Sequence, residues 1–344
     1  MARVTSPSQL RMPAEWEQHE ATWIAWPHEE TDWPGKFAPV KWVYGSIVHH
    51  LSRVERVRVL VRNRADRAEA REVFEKSGAR MDRVDFYLYR TNRSWCRDYC
   101  PIWVRDARGE SLVTDWKFNA WAKYRNWRLD NAAPAFIAKK LGLKRIEPGM
   151  VLEGGSIDVN GQGLLLTTEE CLLSPVQARN PDLSREDLEA MFAQYLGIDR
   201  VIWLNRGIAG DDTHGHVDDL ARFVDPGTIV TVVERNRNDE NHEPLAENWR
   251  LLKRTGLRIV ALPMPAPVWF DGQRLPASYA NFYIANGIVL VPTFNDPNDR
   301  VALNTLQRLF PDRKVIGIHC LDLVLGLGTL HCMTQQEPAA ISQP

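Results

Sequence analysis

At 344 residues, with 44% hydrophobic and 25% charged side chains, the chain carries enough apolar material to close a globular core and lacks the charge bias of a disordered protein. Its formal net charge is −1, with acids and bases interspersed, so neither a basic face for nucleic acid nor an acidic tail is declared, and a small-molecule partner is expected.

From Met1 to Pro13 there is no apolar leader core, and later apolar runs such as Gly287-Ile288-Val289-Leu290-Val291 are too short to span a bilayer. No membrane partner is expected, and a cytoplasmic location is. Most of the thirteen tryptophans precede residue 130, as in Trp23-Ile24-Ala25-Trp26; such rings pack cores or wall a cavity for an apolar or cationic ligand. Arg56 to Val61 alternates like a strand, Arg67 to Ser77 reads as a helix closed by Gly78, and Asp85 to Tyr89 as the next strand. Ser184, with Asp187 three residues on, caps a helix that Gly197 ends, and Val201 to Leu204 resumes as strand.

Turn glycines at Gly109, Gly161, Gly227 and Gly287 sit between paired strands, 52, 66 and 60 residues apart, which predicts a repeat of about 60 residues built from strands and one helix. Polar residues recur shortly before each turn: Asp98, Glu153, His216 with Asp218, and Ser278 with Asn281. Joining a strand near Trp23 to a C-terminal strand carrying Cys332 supplies a fifth unit, and a ring of five would point every cluster at one central pocket.

Five cysteines, an odd number without framework spacing, fit a reducing compartment and leave Cys332 available as a thiolate. A thiolate needs a base or a lowered pKa to attack at neutral pH, and His216 is the candidate general acid/base. His331, adjacent in an expected strand, would face away from Cys332 and reads as structural. Asp98 and Asp218, with Asp212 and Glu153 as further members, would repel one another around a thiolate unless a cation enters. A guanidinium, planar and permanently charged, is the natural occupant. Trp95 is a candidate wall of the substrate site, and Asn281 a candidate lining residue by its place in the fourth repeat. Asp219 reads as a loop carboxylate as readily as a site residue, and Cys96 and Cys100 as packing. His214, His216, Asp218 and Asp219 could be metal ligands by composition, but no second His or Cys pair completes a set, so neither metal nor organic cofactor is expected.

Five segments, Trp95-Cys96-Arg97-Asp98, Glu153 to Asp158, Leu166 to Leu173, Gly215-His216-Val217-Asp218 and His331 to Gln336, resemble in order those of the agmatine deiminase family, within the wider guanidine-modifying superfamily. The resemblance implies a five-bladed pseudosymmetric α/β propeller, one catalytic domain over 1–344 with its core at about 12–338, and a homodimer or larger assembly. It implies that Cys332 is the nucleophile, His216 the proton shuttle, Asp98 and Asp218 the guanidinium ligands, and Glu153 a carboxylate near His216. Agmatine is then the expected substrate, hydrolysed through a covalent thiouronium to N-carbamoylputrescine and ammonia on the way to putrescine. The alternatives are free or peptidyl arginine as substrate, amidino transfer to an amine, or a non-catalytic binder of guanidinium or polyamine ligands. The chain departs from the usual family pattern at Cys100 (commonly Gly), His214 (commonly Asp) and Leu327-Gly328-Thr329 (commonly Gly-Gly-Asn), which bears on the shape of the pocket.

Overall fold

The computed structural model describes residues 10–340. Five sheets share one pattern, an antiparallel hairpin followed by a parallel strand. Ile102–Arg105, Ser111–Thr114 and Arg145–Ile146 form one; Asp158–Val159, Leu164–Thr168 and Arg200–Leu204 the next. Ala221–Asp225, Thr228–Val233 and Arg258–Pro263 form the third, and Tyr283–Ala285, Ile288–Thr293 and Lys314–His319 the fourth. The fifth joins the two ends of the chain: Gln335–Pro338 runs antiparallel to His19–Ala25, which is followed by the parallel strands Arg56–Val61 and Val84–Leu88. Each parallel step is bridged by a helix, as a same-direction crossover requires. These are Phe37–Leu51, Arg64–Lys76, Ala133–Leu141, Arg185–Leu196, His242–Lys253 and Pro297–Leu309.

The turn glycines fall in the four hairpins, and Gly109, Gly161 and Gly287 adopt the left-handed conformation that spares them a Cβ clash. The helix after Arg56–Val61 starts at Arg64, three residues before the sequence expectation. Asn63 caps it, its side chain accepting from the amide of Asp66 at 2.9 Å. The Ser184 capping box and the left-handed Gly197 stand as expected. Trp23, Trp26, Trp33, Trp95, Trp103, Trp116 and Trp121 are buried, whereas Trp42 is half exposed. One expectation fails: Cys332 is not on a strand. It lies in the short helix Leu330–Met333, and the strand that closes the fifth sheet begins three residues later.

That helix is one of a set. Immediately before the first strand of each sheet stands a tight turn: Cys96–Tyr99, Gly154–Ser156, Val217–Asp219, the bend at Tyr279 and Ala280, and Leu330–Met333. The polar residues singled out by the repeat sit on or beside these turns. Among the described residues no helix is long and apolar enough to cross a membrane; the segment before residue 10, read above for a leader, lies outside them.

Ser184→Ala, which removes the cap, is expected to lower the unfolding free energy by about 1 kcal/mol in urea titrations. Gly197→Ala should cost more, because the position is left-handed and the added Cβ would collide with the carbonyl oxygen of Leu10.

Candidate active site

The turns deliver their side chains to the inner end of a cavity of 370 Å³, lined by Trp95, Asp98, Trp121, Tyr124, Asp212 and Cys332 among others. The Cys332 thiol accepts the Asn281 side-chain amide at 3.1 Å and donates to Asp218 Oδ2 at 3.6 Å. Asp98 is held at both oxygens: Oδ1 accepts the Gly155 amide at 3.0 Å, and Oδ2 the Trp121 indole at 2.8 Å. Reaching Asp98 puts Ala120, Trp121 and Ala122 in succession at positive φ, a costly conformation for residues with a Cβ.

His216 lies below, fully buried. Its Nδ1 is 3.8 Å from Asp98 Oδ1 and 4.0 Å from Asp218 Oδ1, and its Nε2 is 3.7 Å from Glu153 Oε2. None of these closes to a hydrogen bond, and both ring nitrogens, Glu153 Oε2 and Asp218 Oδ1 stand without a protein partner. His216 Nδ1 faces one point on which Asp98 Oδ1 and Asp218 Oδ2 also close. Gly155 marks it: an added Cβ would lie 2.6 Å from His216 Nδ1, 2.8 Å from Asp98 Oδ1 and 3.1 Å from Asp218 Oδ2. The two glycines after Glu153 therefore serve close approach, since a Cβ on Gly154 would strike the Arg97 carbonyl.

Charge in this dry environment is sorted by its neighbours. Burial, reinforced by Asp218 and Glu153, lifts Asp98 to about 6 despite His216. Burial also works to raise Glu153, but the guanidinium of Arg179 at 3.1 Å and the His216 ring hold it at about 2. Burial opposes a charge on His216, yet Asp98, Cys171 and Glu153 together keep its pKa well above the usual imidazole range. Asp218 is kept low against burial, chiefly by His331. Burial, Asp218, Asp219 and Asp98 push the Cys332 thiol well above its usual range. With these neighbours the nucleophile candidate is held toward the neutral thiol and His216 toward the imidazolium.

The residues expected from sequence are not all brought together. Cys332, Asp98, Asp218, His216 and Glu153 converge. Trp95 walls the cavity, packed on Trp33 and on the loop glycine Gly328. Asp212 stands on the cavity wall, tied to Lys123 and to the Tyr124 hydroxyl at 2.7 Å. Asn281 does not line the cavity; it lies behind the thiol, fully buried. Asp219 is no solvated loop carboxylate. It too is buried, accepts from Asn281 at 3.0 Å, and is driven well above the usual range by burial, Asp218 and Asp211. His331, on a helix instead of a strand, is engaged with the site: Nδ1 meets Asp218 Oδ2 at 2.7 Å and Nε2 meets Glu15 Oε2 at 2.8 Å.

Of the departures from the family pattern, His214 points away, to Ser174 Oγ at 3.2 Å, and Cys100 is buried beneath the turn carrying Asp98. Leu327 does reach the cavity and takes the left-handed conformation, φ 67°, at a position where the family commonly has glycine. Two sets could bring ligand atoms to a metal ion, Glu153 with Cys171 and His216, and Asp218 with Asp219 and Cys332. Both draw on the side chains just described. Sequence reasoning missed Arg179, Trp121 and the buried network in which Glu15 binds Arg97, Arg222 and His331. Arg179, Trp121 and Glu15 lie in loops and turns without any periodic signal, and Arg222 is a charged residue inside a buried strand.

Fold and site together define an α/β protein with a buried thiol, imidazole and carboxylate centre. The Porphyromonas-type peptidyl-arginine deiminase family model matches residues 11–338, and the chain belongs to that family. It is 36% identical to an agmatine deiminase of Ectopseudomonas mendocina, over 96% of both chains. Among solved structures it resembles a variant C. jejuni agmatine deiminase with substrate bound, with a TM-score of 0.89, 30% identity and 97% of each chain covered. It also resembles the agmatine deiminase of Enterococcus faecalis, with a TM-score of 0.89, 32% identity and coverage of 98% and 99%.

Arg179→Met should destabilise the fold by about 3–5 kcal/mol in chemical unfolding, because it strands the Glu153 carboxylate in a site with no exposure. Gly155→Ala is expected to remain folded by circular dichroism while losing ligand binding, since its methyl would occupy the point on which the charged groups converge.

Proposed function

We propose that this protein is an agmatine deiminase, hydrolysing the guanidinium of agmatine to N-carbamoylputrescine and ammonia. The observation that carries the reading is the Cys332 thiol set among Asp98 and Asp218 at the inner end of a cavity, with His216 and Glu153 beneath. It occurs in a chain alike over its whole length to agmatine deiminases.

Asp98 and Asp218 receive the guanidinium nitrogens, a pairing that suits the planar donor fork. The arriving cation offsets the carboxylates that kept Cys332 protonated, so the thiol releases its proton to water as substrate binds, His216 being already protonated. The thiolate adds to the guanidinium carbon. His216, held protonated by its carboxylate neighbours, gives a proton to the departing nitrogen, which leaves as ammonia. An S-alkylthiouronium remains. His216, now neutral, takes a proton from water, and the resulting hydroxide attacks the same carbon. Collapse breaks the carbon–sulfur bond, restores the Cys332 sulfur and releases the ureido product. Glu153 anchors His216 from below and stays ionised throughout, because Arg179 never titrates away. Such acid–base work contributes about 10²–10⁴-fold, and positioning supplies much of the rest.

The tail of the substrate is read from the cavity wall. Among the described residues Asp32, Asp98, Asp212 and Asp271 line it; the one lining guanidinium, Arg93, is spent on Asp32 and stacks on Tyr124 at 4.7 Å, and Lys123 is spent on Asp212. An acidic wall favours a second ammonium over a carboxylate, which supports agmatine over free arginine. The peptidyl arginine in the family's description remains a comparison substrate for the assay.

We read the five like sheets as blades of a pseudosymmetric five-bladed propeller. It forms one catalytic domain with its core at about 12–338, working as a cytoplasmic homodimer or larger assembly. The regular delivery of polar groups by the turn before each first strand supports the ring, and the antiparallel pairing of His19–Ala25 with Gln335–Pro338 supports a single unit.

Ammonia release measured in parallel from agmatine, arginine and a blocked arginine peptide should favour agmatine by about 100-fold or more in kcat/KM, and Cys332→Ala should abolish it. Turnover of arginine at a comparable rate would refute the assignment of the tail. The raised thiol pKa has its own consequence: alkylation of Cys332 by neutral iodoacetamide should be slow at pH 7 and climb as pH rises past the ordinary thiol range. A cationic haloacetamidine should react faster at neutral pH because it brings its own counter-charge.

A further inference from the structure

Asn281 makes five polar contacts, and together they determine which way round its amide lies. Its Oδ1 accepts from the Thr329 hydroxyl at 2.7 Å, the His331 amide at 3.0 Å and the Cys332 amide at 3.4 Å. Three donors around one atom identify it as the oxygen. The other end is therefore the NH₂ group, whose two N–H bonds point to Asp219 Oδ1 at 3.0 Å and Cys332 Sγ at 3.1 Å. The side chain is fully buried, so water does not compete for either.

We infer that Asn281 is a catalytic residue that holds the Cys332 sulfur on the attack side of the guanidinium carbon and donates an N–H bond to the thiolate as it forms. The inference rests on the reading of Cys332 as nucleophile. Asp218 and Asp219 from one turn and Asp98 from another act on the sulfur, Asp218 Oδ2 at 3.6 Å, while the imidazoles of His216 and His331 face those carboxylates. All three carboxylates raise the cost of a thiolate, and the Thr329 backbone opposes them; a neutral side-chain donor in direct contact adds to that opposition without occupying the carboxylate oxygens that receive the substrate's cation. Donation to the thiolate also grows stronger as charge develops and weakens once sulfur is bound to carbon, the differential that accelerates a step.

The network further explains how a departure from the family loop is tolerated. Thr329, standing where Asn is common, turns its hydroxyl onto the Asn281 oxygen and so locks the amide. Asp219, pushed toward its neutral form by burial and two neighbouring carboxylates, accepts the second N–H without adding a full charge beside the sulfur.

The test is the pH dependence of Cys332 alkylation by iodoacetamide, followed on the Cys332 peptide by mass spectrometry, beside steady-state kinetics with agmatine. Asn281→Leu, of similar shape and uncharged, removes the donor without adding a carboxylate beside the sulfur. Its alkylation profile should move up by about one to two pH units, and kcat should fall by about 10- to 100-fold with little change in KM. Thr329→Val leaves the amide and removes one anchor, and should move the profile the same way by a smaller step. A merely structural Asn281 would lower the melting temperature and leave the alkylation profile on that of the wild type, and that result overturns the inference. Should Asn281→Leu not fold, a Thr329→Val profile superimposable on the wild type does the same. The alkylation readout does not depend on agmatine being the substrate, so failure of the proposed activity and failure of this inference are distinguishable.

Discussion

The constraint on which the rest of the structure depends is the crowding of Asp98, Asp218, Asp219 and Glu153 around the Cys332 thiol and the imidazoles of His216 and His331 in a site with almost no exposure. Like charges at this spacing and burial would drive each other to protonate. The protein settles some of the debt internally: Arg179 answers Glu153, and His331 answers Asp218. Asp98 and the thiol are left to an incoming cation, and Asp219 to a proton. An unbalanced site of this kind selects its ligand by charge before shape.

The internal answers come from a second layer. Glu15 gathers Arg97, Arg222 and His331, and Arg222 continues to Asp158 at 2.9 Å. His331 is therefore held between two carboxylates, so that the orientation of Asp218 depends on a residue at the start of the chain. Buried ion pairs of this sort contribute little net stability compared with apolar packing, but removing one member is costly. Their value here is orientation. The fifth sheet, which joins residues 19–25 to 335–338, keeps Glu15 and His331 in reach of each other.

The repeat was legible because hairpin glycines and pre-turn polar residues are local signals, and the amphipathic helices between them have a clear period. The converging five, Cys332, His216, Asp98, Asp218 and Glu153, followed from chemistry and family likeness together. What was illegible is what depends on tertiary contact. Arg179 sits in a loop with nothing in its neighbourhood to distinguish it from a solvated arginine. Trp121 looked like one more core ring, and only its left-handed backbone and its indole on Asp98 set it apart. The strand expected at His331 is a helical turn, which changes the face a neighbouring side chain presents and brings the ring onto Asp218 and Glu15. Asn281 was placed near the pocket by its repeat position, but which side of the thiol it occupies depends on five contacts no spacing reveals. Among the departures, Cys100 and His214 stay clear of the charged centre, while Leu327 holds a left-handed conformation at the cavity wall.

The central claim is that the carboxylate cluster requires a cation, and it is tested most directly by calorimetric binding to the Cys332→Ala protein of agmatine and of its ureido product, which differ in the charge of one end. The account predicts that agmatine binds about 100-fold tighter or more, because the neutral urea leaves Asp98 and Asp218 uncompensated. Comparable affinities for the two would contradict it.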